Sequence, residues 1–109
     1  MNSRIFGSSS MRPLFIDFDA YTDGDDDFKK ELIVLIIDNL RELQQVLSPK
    51  SHDIQAFHKI CHKIKPTLVM LDDSEMLEII EQLKIITNHT QLDLLDKICK
   101  GIIESLSKA

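Results

Sequence analysis

The chain has 109 residues, of which 43% are apolar and 28% charged, and its formal net charge is −5. A chain of this size can bury one hydrophobic core, so a single globular domain is expected. The acidic balance argues against nucleic-acid binding, because proteins of that class present a basic face. The longest apolar run, at 32–37, is far shorter than the roughly 20 residues that span a bilayer, so no membrane association is expected either.

Turn-forming residues and cysteines narrow the class further. Only three glycines and three prolines are present, which favours a few long helices over many short strands. Cys61 and Cys99 have no metal-ligand spacing and both fall on apolar helix faces, so we expect reduced core thiols in a cytoplasmic protein. Residues 1–12 contain no apolar segment of signal-peptide length. We expect them to be a disordered tail or an expression scar, with the domain over 13–109.

The first half of that domain predicts a short helix and a long one. Residues 14–21 are apolar and predict one or two helical turns packed over one end of the fold. Gly24 followed by Asp25 marks the start of a long helix, because acidic residues accept hydrogen bonds from the first free N–H groups. Ser48-Pro49 is expected to end it. Its apolar positions recur in steps of three and four: Phe28, Leu32, Leu35, Ile36, Leu40, Leu43, Val46 and Leu47.

Three further helices are predicted from the same periodicity. The second long helix starts near Ser51 or His52 and runs to Leu71, the third is capped by Ser74, and the fourth by Thr90. Their apolar faces are Ile54, Phe57, Cys61, Ile64, Leu68 and Leu71; then Met76, Leu77, Ile80, Leu83 and Ile86; then Leu92, Leu95, Ile98, Cys99, Ile102, Ile103 and Leu106. Amphipathic helices joined by short loops predict an all-α fold, an antiparallel up-down four-helix bundle with a short extra N-terminal helix.

The second long helix carries an unusual outer face. His62 lies roughly 140° from the centre of the apolar stripe at 100° per residue, so it should face solvent. Lys59 and Pro66 lie on the same outer side. His58 and Lys65 lie on the shoulder between the two faces.

Three features of this outer face coincide at His62. Lys59, Lys63 and Lys65 should attract anions there, and Val69 and Met70 are two outward apolar residues of the kind that suit a partner surface. Pro66 has no N–H to donate to the His62 carbonyl, so a break or loosening of the helix is expected at that carbonyl. The alternative is a solvated helix face with a proline bend.

The hexapeptide His62-Lys63-Ile64-Lys65-Pro66-Thr67 resembles the active-site motif of histidine-containing phosphotransfer (HPt) domains. That motif is His-x-Leu/Ile-Lys-Gly/Ser/Pro-Ser/Ala/Thr, on an outward face of a four-helix bundle. The resemblance extends over residues 14–107. Pro66 stands where many family members have glycine, so the local backbone is expected to differ from theirs.

The resemblance implies a role in two-component signalling. An HPt domain accepts a phosphoryl group from a receiver-domain aspartyl phosphate and passes it to another receiver aspartate. His62 would be the phosphoacceptor and Lys65 would stabilise the phosphoryl group. Supporting residues would be Lys63, Lys59, His58 and Pro66, and the docking residues would be Val69 and Met70.

The partners implied are response-regulator receiver domains and a hybrid sensor histidine kinase. The chain itself would need no cofactor or metal, because Mg²⁺ belongs to the receiver, and it would act as a monomer. No Gly-x-x-x-x-Gly-Lys loop for ATP is present, so we expect a phosphotransfer protein and not a kinase.

Two other interpretations stay open from the sequence. His58 and His62 at i, i+4 have the spacing of two metal ligands, but no glutamate accompanies them in a His-Glu-x-x-His arrangement and the nearby lysines would repel a cation. A helical bundle that only docks on a receiver or kinase, without transferring phosphate, has the same pattern.

Overall fold

A computed structural model describes residues 11–48 and 53–109. Within those ranges the fold is all-α, with no strands, which confirms the predicted class. Residues 1–10, most of the expected tail, lie outside the described ranges, as do Pro49, Ser51 and His52. The six helices are α1 Phe18–Thr22, α2 Asp26–Gln45, α3 Ile54–Lys63, α4 Lys65–Leu71, α5 Ser74–Leu83 and α6 His89–Ser107.

Helix starts are set by carboxylate and amide caps. Asp25 caps α2 as predicted, with Oδ1 3.0 Å from the backbone N of Phe28. Helices α3, α5 and α6 are capped by Asp53, Asp73 and Asn88. The sequence-based caps Ser74 and Thr90 are therefore wrong, since both residues already lie inside their helices. An Asp or Asn that precedes them, in extended backbone, reaches the free N–H groups first.

One side of each long helix forms a common core. The buried apolar residues are Leu32, Ile36, Leu40, Leu43, Leu47, Phe57, Cys61, Ile64, Leu68, Leu71, Met76, Ile79, Ile80, Leu83, Leu92, Leu95, Ile98, Cys99, Ile102 and Leu106. Most were predicted, although Ile79 was not. Phe28, Leu35 and Ile86 were predicted to be inside and are exposed. Ile86 lies beyond the end of α5, and Ile36 takes the inward position next to Leu35.

The N-terminal segment packs on this core as expected for 14–21. Leu14, Ile16 and Phe18 are partly buried against it. Gly101 is buried within α6. Of the helices in the described ranges, none has the length and apolar character needed to cross a membrane.

The second long helix is divided at Ile64. Its backbone angles, φ −96° and ψ 13°, end α3 and begin α4, and Pro66 lies in the first turn of α4. The first turn of a helix tolerates proline, because its N–H groups have no intrahelical partner. The helix predicted to run to Leu71 is therefore two helices, and the break expected beside His62 is present.

Buried side chains hold both halves of the divided helix in place. Ile64 and Leu68 are in the core. Thr67 is buried, and its Oγ1 accepts a hydrogen bond of 2.6 Å from Asn39 Nδ2 on α2. The break therefore changes the backbone near His62 without detaching α4 from the core.

Arg12 ties the beginning of the chain to α5 and α6. Its guanidinium donates to Asp73, with Nε–Oδ2 at 2.6 Å and Nη2–Oδ1 at 2.9 Å, and Asp73 is only 3% exposed. Its backbone N–H donates to Ser105 Oγ at 2.9 Å, and that hydroxyl donates to the Arg12 carbonyl at 2.5 Å. The boundary expected at residue 13 leaves this contact out. An arginine in a polar tail gave no sequence signal of it.

The same contact sets the charge state of Asp73. Burial alone raises the pKa of Asp73, but the hydrogen bonds from Arg12 and from the Met76 N–H outweigh burial and lower it below its usual range. The carboxylate therefore caps α5 and neutralises Arg12 at the same time.

We predict that Asp73→Ala lowers the free energy of unfolding by about 2–4 kcal/mol, because it removes a helix cap and leaves Arg12 without its buried partner. Chemical denaturation of both proteins measures this. The matched control is Ser74→Ala at the neighbouring exposed position, which should change stability by less than about 0.5 kcal/mol. Equal losses for the two variants would contradict the assignment of the cap to Asp73.

The contribution of Asp73 should also depend on pH. Because its pKa is lower in the folded chain, its stabilisation is complete above the unfolded value of about 3.9 and is lost as the pH falls through the folded value. The stability difference between wild type and Asp73→Asn should therefore be constant from about pH 8 to about pH 5 and shrink in stronger acid. A difference that grows on acidification would show the opposite sign of the shift.

Candidate functional site

The His62 side chain lines a groove between the divided helix, α3 and α4, and α5. The groove has a volume of about 340 Å³. Its polar lining comes from both sides: His58, His62 and Lys65 from α3 and α4, and Glu81 and Lys84 from α5 and its C-terminal cap. The floor is apolar and includes Leu68, Leu77 and Ile80.

The two principal residues predicted from the sequence line this groove together. His62 lies in the last turn of α3, and Lys65 is the first residue of α4. Both side chains are exposed. His62 and Lys65 therefore belong to different helices, on either side of the break at Ile64, but line the same groove. An imidazole that solvent reaches therefore shares a groove with an ammonium group.

His58 has a different role from His62. Its Nε2 lies 3.0 Å from the carbonyl oxygen of Lys84. A carbonyl can only accept, so the Nε2–H of His58 is the donor. Lys84 caps the C-terminal end of α5, where carbonyls have no partner within the helix. His58 therefore joins α3 to the end of α5, and its Nε2 is already engaged.

Lys59 and Lys63 lie on the other side of α3. Both line a second groove, of about 400 Å³, together with Glu42 and Val46 of α2 and its cap. Lys63 Nζ is 2.9 Å from Glu42 Oε2. Neither lysine lines the groove of His62, and the expectation that both support its chemistry stays a prediction. At 100° per residue they lie roughly 60° and 100° from His62 in one direction, whereas Lys65 lies roughly 60° away in the other.

The residues downstream of the break differ in exposure. Pro66 is exposed, and Val69 is 59% exposed and lines the His62 groove. Met70 was predicted to point outward, but it is partly buried and packs against the core. Of the two docking candidates, only Val69 is fully available on the surface.

Lys84 is the site residue that sequence reasoning missed. It lines the groove, its side chain is 30% exposed, and its Nζ is 2.9 Å from Glu81 Oε2. Sequence periodicity places Lys84 near the end of α5 but does not say which neighbouring helix it faces. The signal that was available is the Glu81-x-x-Lys84 spacing of an ion pair on one helix face.

The cysteine nearest to the site is chemically quiet. Cys61 is buried at the edge of the groove, and burial raises its pKa to about 11, although the positive charge of Lys84 partly opposes this effect. Burial raises the pKa of Cys99 to about 12. Both cysteines are free and buried, as predicted. A protonated thiol is a poor nucleophile, so His62 is the better nucleophile beside Cys61.

Metal binding finds no support in the described ranges, where no group of three His, Cys, Asp or Glu side chains could hold an ion. Neither a protein-family model, nor a curated protein, nor a solved structure matches this chain. The chemistry of the groove therefore has to be argued from its own residues.

We predict that Pro66→Ala restores the hydrogen bond to the His62 carbonyl and joins α3 to α4, because alanine supplies the missing N–H. Amide hydrogen exchange followed by NMR is the measurement. The N–H that the substitution introduces at position 66 should exchange slowly, and the amides at 64 and 65 should become better protected. Fast exchange of that new N–H would mean that packing, and not the proline, makes the break. Pro13→Ala, outside the helices, is the matched control.

Proposed function

We propose that this chain is a phosphorelay intermediate of the HPt kind. His62 accepts a phosphoryl group from the aspartyl phosphate of a receiver domain and passes it to an aspartate of another receiver. In this proposal α2, the α3–α4 unit, α5 and α6 form the four long members of an antiparallel bundle, and α1 is the short extra helix. The observation that carries the proposal is the exposed His62 in one groove with Lys65, while His58 is held by the carbonyl of Lys84.

The chemistry needs only a nitrogen nucleophile and stabilisation of charge. A lone pair of the neutral His62 imidazole attacks phosphorus, and the bond from phosphorus to the aspartyl oxygen breaks, with the electron pair leaving on the carboxylate. The other ring nitrogen keeps its proton, so the product ring is cationic and carries a dianionic phosphoryl group. Lys65 lines the same groove and can donate to the phosphoryl oxygens. The reverse attack by a second carboxylate returns the imidazole to its neutral form.

The surroundings of His62 suit a docked receiver. A receiver aspartate pocket is acidic and carries Mg²⁺ in the HPt relay, so the cations of the groove would attract it. Val69, exposed beside the groove, would add an apolar contact. Lys59 and Lys63, on the other side of α3, would act at most through long-range steering. In this proposal the chain is a cytoplasmic monomer with a hybrid sensor histidine kinase upstream.

The test is phosphotransfer from a phosphorylated receiver domain to wild type, His62→Gln and His58→Gln. The receiver, with Mg²⁺, is phosphorylated by its own kinase and then purified away from it. Wild type should take up acid-labile, base-stable phosphate, as phosphohistidine does, and His62→Gln should take up none. His58→Gln should retain transfer, because its loss removes only the contact to the Lys84 carbonyl. Unchanged uptake by His62→Gln would overturn the assignment. Binding of wild type without any uptake would favour the docking module instead.

Lys65→Ala should slow transfer by about tenfold to a hundredfold, because a charge-assisted hydrogen bond to the phosphoryl group is worth about 1.5–3 kcal/mol. Single-turnover transfer from the same receiver measures this. Lys63→Ala is the matched control, since Lys63 pairs with Glu42 outside the groove, and it should change the rate less than about twofold. An equal effect of the two variants would leave Lys65 without a special role.

A further inference from the structure

A second lysine lines the His62 groove from the wall opposite Lys65. Lys65 lies on the α4 side, and Lys84 lies at the end of α5. A phosphoryl group on His62 would stand in a groove with an ammonium group on either side. The charge of Lys84 already acts on Cys61, the neighbour of His62.

Lys84 is less exposed than other paired lysines of the chain, and its backbone is held by a hydrogen bond. Its side chain is 30% exposed, whereas Lys63, Lys97 and Lys100 in their own ion pairs are 65–69% exposed. Its carbonyl is held by His58 Nε2 at 3.0 Å. A side chain that is already partly ordered loses less conformational entropy when it binds a ligand.

Glu81 competes for this cation. Its Oε2 is 2.9 Å from Lys84 Nζ, and its side chain is 70% exposed. Ion pairs this exposed contribute little to stability, so a dianion in the groove would draw Lys84 away and repel Glu81. The carboxylate opposes the phosphoryl group in two ways, by pairing with the cation and by its own charge.

We propose that Lys84 is a second phosphoryl-binding residue, an inference that rests on the proposed function. Glu81 pairs with Lys84 while His62 is unphosphorylated, and the phosphoryl group replaces Glu81 as the partner of Lys84 once His62 is phosphorylated. The hydrogen bond from His58 Nε2 to the Lys84 carbonyl joins α3 to the end of α5, from which the Lys84 side chain extends. The charge of Lys84 should therefore speed the phosphorylation of His62, and the charge of Glu81 should slow it.

The test uses phosphoramidate as the phosphoryl donor, so that no receiver contact contributes to the rate. In the labelling reaction the P–N bond of phosphoramidate breaks, ammonia leaves, and a bond from phosphorus to a His62 nitrogen forms. Phosphate uptake is followed by intact mass, with the site verified by its loss in His62→Gln. Lys84→Gln and Glu81→Gln are compared with Lys97→Gln and Asp93→Asn, which neutralise an i, i+4 ion pair on α6.

We expect Lys84→Gln to slow phosphorylation about fivefold and Glu81→Gln to accelerate it about twofold at low salt, with both effects shrinking at about 1 M salt because the charges are partly exposed. The α6 control variants should match wild type. Glutamine at position 84 keeps the carbonyl that His58 contacts, and thermal unfolding verifies that each variant is folded.

The outcomes separate this inference from the relay itself. If His62 is labelled but Lys84→Gln and Glu81→Gln behave like the α6 controls, the inference is overturned and the relay stands. If the opposite effects appear but no receiver transfers phosphate, the relay is overturned and the assignment of Lys84 stands. If neither phosphoramidate nor a phosphorylated receiver labels His62, both are overturned. If only the receiver labels His62, the same variants are compared in that transfer, and equal rates for all of them overturn the inference.

Discussion

The missing N–H of Pro66 is the constraint on which the candidate site depends. It removes the hydrogen bond that would continue the helix past the His62 carbonyl, and the backbone responds with a break at Ile64. Lys65 therefore begins a new helix, while His62 lies in the last turn of the previous one. On a continuous helix at 100° per residue Met70 would point outward, whereas in the structure it is partly buried against the core.

The core supports this break because it holds the helix on both sides of it. Phe57 and Cys61 are buried before the break, and Leu68 and Leu71 after it, while Thr67 accepts a hydrogen bond from Asn39. These inward contacts stabilise the fold and leave the outward side chains free to differ. The outward face is thus divided between two grooves. One contains His62 with Lys65 and the Glu81–Lys84 ion pair, and in the other Lys63 pairs with Glu42.

Periodicity predicted the all-α class, most of the core and the exposure of His62, because each depends on which side of a helix a residue occupies. It failed where contacts between distant segments decide. Arg12 reaches Asp73 across 61 positions of the chain, Lys84 faces His58 across 26, and neither contact has a local signature. The lysines near His62 show the same limit, because helix position alone does not say that Lys65 lines its groove while Lys59 and Lys63 line another.

We propose that His62 carries the phosphate during a relay. This is tested most directly by locating the phosphate on the wild-type chain, without any substitution. After loading by a phosphorylated receiver, the protein is digested at alkaline pH, where phosphohistidine survives, and the modified residue is identified by tandem mass spectrometry. We expect phosphate on His62 and none on His58 or His89. Phosphate on His58, or on any residue outside the His62 groove, would contradict it.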